Sequence, residues 1–100
     1  MIKVSISKKN NIIDHIMVEG HALYDDYGKD IVCASVSSIV ITSVNAILRI
    51  DKAAISCNKQ DGIIDIQVIK MTDVVNILLV NMIELLKELA QDYPDNVLIK

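Results

Sequence analysis

The residues able to carry chemistry are concentrated in one stretch, Gly20-His21-Ala22-Leu23-Tyr24-Asp25-Asp26-Tyr27-Gly28-Lys29-Asp30-Ile31-Val32-Cys33. It holds one of the two histidines, one of the two cysteines, two of the three glycines and two of the three tyrosines. Asp30 is a good N-cap for the apolar periodic segment that follows, which places Cys33 at the third helical position. There the thiol meets unsatisfied backbone N–H groups at the positive end of a helix, where a thiolate is favoured. An imidazole within reach completes such a site by taking the proton, and His21 lies at the other end of the loop. About ten residues of loop bring their ends together at modest entropic cost.

Inert readings fit the same residues. A cysteine in an apolar helix packs as a small hydrophobe, and a loop histidine bonds a backbone carbonyl. Ser37 follows Cys33 by four residues on the same helical face. Its hydroxyl reaches either the sulfur or, as serines in helices commonly do, the Cys33 carbonyl. Asp30 acts first as a cap, and its carboxylate could also orient an imidazolium; the two roles compete for the same oxygens. His15 and Cys57 read as a strand-face histidine and a small core residue. The spacing of His15, His21, Cys33 and Cys57 matches no zinc finger or knuckle. Ala34-Ser35-Val36-Ser37-Ser38-Ile39 after Cys33 excludes the Arg-terminated phosphate loop of cysteine phosphatases.

The elements that position these groups are legible from periodicity. Ile2, Val4 and Ile6 alternate with Lys3, Ser5 and Ser7 as a half-buried strand, and Lys8 to Asn11 form a turn. Residues 12–19 resume the strand, with Ile12, Ile16 and Val18 on one side and Ile13, His15, Met17 and Glu19 on the other. Residues 20–29 are loop, and 31–50 are helical, with Val32, Val36, Ile39/Val40 and Ile47 marking one face. Ile41, Val44 and Leu48 widen that face, so the helix needs cover on more than one side, from a sheet and from a partner subunit. Residues 53–58 and 64–68 are strands joined by a turn containing Asp61-Gly62. Asp73 caps a second helix running to about Gln91, with Val74, Leu78, Met82, Leu85/Leu86 and Leu89 as its stripe. Pro94 cannot continue it, and Val97-Leu98-Ile99 offers a last strand. The order β-β-α-β-β-α-β, with two hairpins, predicts an α+β two-layer sandwich: a mainly antiparallel sheet with two helices.

One hundred residues, 52% of them hydrophobic, suit one small domain with a core of Ile, Val, Leu and Met. A net charge of −3 without a Lys/Arg cluster argues against nucleic-acid binding and tolerates a basic partner. The N-terminus alternates like a strand and lacks the layout of a signal peptide, so reduced cysteines in a cytoplasmic protein are expected. Ile31 to Leu48 carries no charge over 18 positions, the length of a membrane span. Its Ser35, Ser37, Ser38, Thr42, Ser43 and Asn45 argue for a centrally buried soluble helix instead.

The set Gly20-His21-Ala22, Tyr24, Gly28, Asp30-Ile31-Val32-Cys33-Ala34 and Ser37 resembles the signature of the ribosomal-processing cysteine protease family, Prp. The likeness extends in outline over the whole chain, including Asn45 in the first helix. It implies a bacterial cytosolic protease that removes a short N-terminal extension from a large-subunit ribosomal protein, cleaving after an aromatic pair. It further implies Cys33 as nucleophile, His21 as base, a homodimer, a mobile loop that closes over substrate, and no metal or organic cofactor. On that reading Tyr24 and Tyr27 line the substrate side of the loop, and backbone N–H groups near Cys33, including its own, hold the oxyanion. Two positions depart from the family pattern: Leu23 stands where Gly is usual and Asp25 where a small residue is common. Two other functions remain open to the sequence, a non-catalytic dimeric ribosome-associated module and a redox sensor acting through Cys33.

Overall fold

The computed structural model describes residues 1–26 and 28–100. Seven elements follow in the order β1 (Ile2–Lys9), β2 (Ile12–Gly20), α1 (Ile31–Ile50), β3 (Ile55–Gln60), β4 (Ile63–Val68), α2 (Asp73–Asp92) and β5 (Val97–Ile99). They form one five-stranded sheet in the spatial order β3-β4-β2-β1-β5. The β1–β2, β2–β4 and β3–β4 pairs are antiparallel, and β5 joins β1 in parallel. The expected α+β sandwich with a mainly antiparallel sheet is what the chain adopts.

Alternation along the strands separates a core face from a polar one. Ile2, Val4, Ile16, Val18, Ile64 and Ile66 are buried beneath the helices. On the opposite face His15 is hydrogen-bonded to Asp65 across β2 and β4. The β1–β2 turn uses Asn10 and Asn11 at φ 53° and 66°, the left-handed pair that matches the twist of a two-residue hairpin.

Strand β2 departs from the simple alternation expected of it. Ser7 pairs with His15 but Lys8 pairs with Ile13, so Asp14 is an extra residue opposite no partner, a β-bulge. One inserted residue reverses the side-chain parity beyond it. Ile13 therefore enters the core and Ile12 is half exposed, the reverse of the placement read from the sequence.

Helix α1 buries Val32, Val36, Val40, Val44 and Ile47 against the sheet and lies beside α2. In length and composition it would be able to span a membrane; here its buried residues belong to the same core cluster as those of the sheet. In α2 the expected stripe is rotated. Val75, Leu79, Met82, Ile83 and Leu86 are buried, whereas Val74 and Leu85 are exposed. The N-cap is Thr72, whose hydroxyl accepts from the Val75 N–H, and Asp73 is the first helical residue. Asp73 there still complements the positive helix end.

Candidate active site

Three elements converge on the polar loop between β2 and α1. Gly20 ends β2 at φ 99°, and a Cβ there would collide with the Met1 carbonyl, so the chain turns out of the sheet at a position only glycine fills. Its N–H donates to the Gly62 carbonyl at 2.8 Å, which fastens the end of β2 to the β3–β4 turn. His21 comes next, exposed, with its imidazole beside Gly62: a Cβ built on Gly62 would lie 3.2 Å from His21 Nε2. Ala22 is buried in the core.

At the other end of the loop Asp30 caps α1. Its Oδ1 accepts from the Val32 and Cys33 N–H groups at 3.0 and 2.9 Å, and Oδ2 accepts from Tyr24 N–H at 3.0 Å. Burial acts to raise the Asp30 carboxyl, but the backbone donors of Cys33, Tyr24, Asp25 and Val32 outweigh it and hold the pKa below the ordinary value. Both oxygens are thus engaged by backbone, and none of the Asp30 hydrogen bonds among the described residues goes to His21. Orientation of an imidazolium by Asp30 is not seen.

Cys33 is half-buried at the third position of α1, as the Asp30 cap predicts. Its own N–H is taken by Asp30 Oδ1, so the expectation that this N–H serves the oxyanion does not hold in this conformation. The cap carboxylate also shares the positive helix end with any thiolate formed there.

His21, Cys33 and Ser37 line two adjoining clefts. One, of about 450 Å³, lies between α1 and the β3–β4 turn, with Gly20, Gln60, Asp61 and Gly62 in its walls. The other, of about 350 Å³, lies under the loop, with Leu23, Gly28 and Asp30 in its walls. No hydrogen bond joins Cys33 to His21 among the described residues; catalytic bonds are commonly long until substrate closes the site. Ser35 and Ser43 bond back to the carbonyls of Ile31 and Ile39. Ser37 makes neither such a bond nor one to the sulfur among the described residues, and its side chain faces the clefts.

Not every expected site residue is brought to the clefts. Tyr24 packs edge-on against Tyr93 of the α2–β5 turn, ring centroids 5.3 Å apart at 83°. It lines neither cleft, and Ala22 belongs to the core. The expectation for Tyr27 falls outside the described residues. Cys57 points to the core side of β3, where burial and the neighbouring Asp65 push its thiol up despite an opposing effect from Lys59.

The β3–β4 turn is the part of the site that sequence reasoning missed. Asp61-Gly62 was legible as a turn, but its place beside His21 depends on β4 pairing with β2, a long-range choice. Asn96, whose side-chain amide donates to the Ala22 carbonyl at 2.9 Å, carried no local signal at all.

Residues 1–98 match the family model described as Cysteine protease Prp. The ribosomal processing cysteine protease Prp of Mycoplasma genitalium is 34% identical over 99 residues, covering 99% of this chain and 94% of that protein. The Staphylococcus aureus protein of the same name is 29% identical, covering 96% of this chain and 92% of its own. Its crystal structure with a covalently linked product peptide superposes with a TM-score of 0.94 at 29% identity, over 100% of this chain and 98% of that one. SMU.848 from Streptococcus mutans superposes with a TM-score of 0.82 at 28% identity, over 100% and 92%. With the match spanning nearly every residue, and with His21 and Cys33 opening on shared clefts, the chain belongs to the cysteine protease Prp family.

Proposed function

We propose that this protein is a cysteine endopeptidase that removes the N-terminal extension of a large-subunit ribosomal protein, cutting after an aromatic pair. The observation that carries the reading is the meeting of a helix-N-terminal thiol, Cys33, and a strand-end imidazole, His21, in walls common to two clefts. The name of its relatives and the peptide complexes of the S. aureus protein support the substrate class.

In the mechanism, His21 takes the Cys33 proton and the thiolate attacks the scissile carbonyl. The cap occupies the Val32 and Cys33 N–H groups, so the Ser37 hydroxyl, without a partner among the described residues, is the donor left on that wall for the oxyanion. The imidazolium then protonates the leaving amine, and water assisted by His21 releases the acyl group. Gly20, Leu23 and Gly28 shape the backbone of the substrate loop, and Asp30 supports it from the helix cap. No step calls for a metal or an organic cofactor.

We further place the protein in the cytoplasm, a reading supported by its two free cysteines. Exposed Val74, Ile77 and Leu85 on α2 support a homodimer. The acidic composition supports a basic protein substrate, with no direct role for nucleic acid or membrane. The seating of α1 within the core favours a buried helix over a span. Membership of a protease family favours cleavage over the interaction-module and redox-sensor readings.

The test is cleavage of the extended ribosomal protein, followed by mass spectrometry, with wild type and Cys33→Ala. Wild type is expected to release the extension after the aromatic pair, and the variant to release none. Cutting by a pure Cys33→Ala protein would end the mechanism.

A further inference from the structure

His21 lies just outside β2, so no ladder hydrogen bond of its own fixes it. Its placement depends on the residues before and after it. Before it, Gly20 is bonded to Gly62. After it, the Ala22 side chain is sunk in the core and the Ala22 carbonyl accepts from Asn96 Nδ2 at 2.9 Å, across 74 residues of sequence. Asn96 is itself held at both ends: its N–H donates to the Tyr93 carbonyl at 3.0 Å and its carbonyl accepts from Ile2 N–H at 2.8 Å. With its backbone bonded in both directions, the side chain has a fixed origin from which to reach the loop. Tyr93 of the same turn packs against Tyr24, so this turn grips the loop twice within four residues.

We propose that Asn96 is a positioning residue for the general base: by holding the Ala22 carbonyl it sets the direction in which the His21 imidazole enters the clefts beside Cys33. The role demands an N–H donor on a short side chain. Aspartate has the length but presents an acceptor to the carbonyl, and alanine falls short of it. The inference rests on His21 acting as the base.

The experiment compares Asn96→Asp, Asn96→Ala, His21→Ala and Thr72→Ala by peptide cleavage, thermal unfolding and histidine NMR. Both Asn96 variants are expected to lose roughly 10- to 100-fold in kcat with KM little changed, the scale of a misplaced catalytic group. The His21 imidazole resonances should move while those of His15, bonded to Asp65 on the far face, stay in place. Thr72→Ala, which removes the α2 cap, controls for stability alone and should keep wild-type kcat. If His21→Ala abolishes cleavage while both Asn96 variants retain wild-type kcat and His21 resonances, the positioning role is overturned and the base assignment stands. Wild-type activity in His21→Ala overturns the base assignment itself. Should the variants not fold, the wild-type protein still decides: the Asn96 side-chain amide protons must be protected from solvent exchange and show contacts to Ala22, and a freely exchanging amide overturns the proposal.

Discussion

The Tyr24 N–H donates to Asp30 Oδ2 at 3.0 Å, so the carboxylate that caps α1 also ties the loop to the helix it precedes. One side chain thereby sets where the helix that carries Cys33 begins and where the loop behind His21 ends. Asp30→Ala should lower stability by about 0.5–2 kcal/mol, the usual range for a lost cap, read as the midpoint of urea unfolding. Limited proteolysis within residues 23–29 should accelerate more than the stability loss alone accounts for. Unchanged cleavage in that segment would show that the Tyr24 bond does not restrain it.

The same carboxylate has a pH signature. Its pKa is below the ordinary 3.8 because backbone donors outweigh burial. A group depressed on folding contributes stability that is present above the unfolded value and lost as pH falls through the folded one. The difference in unfolding midpoint between wild type and Asp30→Asn should therefore be constant above about pH 5 and shrink below about pH 4. A difference that grows on acidification would contradict the bonding at Asp30.

Leu23 holds φ at 57° while 78% exposed, a left-handed conformation that costs a leucine about 1–2 kcal/mol without compensating burial. Glycine removes that cost but gains freedom in the unfolded chain, which returns about 0.4–1 kcal/mol. Leu23→Gly should consequently raise the thermal midpoint slightly. A lower midpoint would mean that the exposed leucine makes contacts worth more than its strain.

Gly62 is the wall against which the His21 imidazole rests. Alanine there adds a methyl group 3.2 Å from His21 Nε2 at a residue with φ 73°. Gly62→Ala should cost about 1 kcal/mol through the turn and roughly tenfold or more in kcat through the displaced imidazole. Side-by-side unfolding and cleavage assays separate the two, and a kcat equal to wild type would show that the imidazole yields without consequence.

The two thiols should differ in reactivity. Burial and Asp65 push the Cys57 thiol up, leaving little thiolate at neutral pH, while Cys33 opens on two clefts. Brief alkylation with iodoacetamide followed by peptide mapping should label Cys33 ahead of Cys57. Equal labelling would place Cys57 in a more open setting than β3 provides.

Local chemistry was legible where one signal dominated. Asp30 before a long uncharged run with helical apolar spacing announced both the helix start and the position of Cys33, and two polar turns announced the hairpins. Legibility failed where apolar residues occupied both sides of an element. Between Ile12 and Val18 either parity offers apolar residues to the core, Ile12, Ile16 and Val18 or Ile13 and Met17, and only pairing with β1 shows that Asp14 bulges. In α2, Val74 and Val75, Leu78 and Leu79, and Leu85 and Leu86 present adjacent alternatives, and the docking angle against the sheet and α1 selects the second of each pair for burial. At the site, the bond from Asn96 to Ala22 joins residues whose proximity exists only once β5 lies beside β1.

That last pairing has a bearing on how activity arises during folding. The hairpins and the cap of α1 form from neighbours in sequence, whereas β5 meets β1 by closing most of the chain, a contact of high order and slow entropic closure. A chain with every other element in place but β5 undocked would carry a capped helix and an available thiol, and would hold His21 by the Gly20–Gly62 bond without the Asn96 bond to Ala22. On the positioning role proposed for Asn96, full activity would therefore wait on the last strand to dock, and an incompletely folded chain would cut slowly.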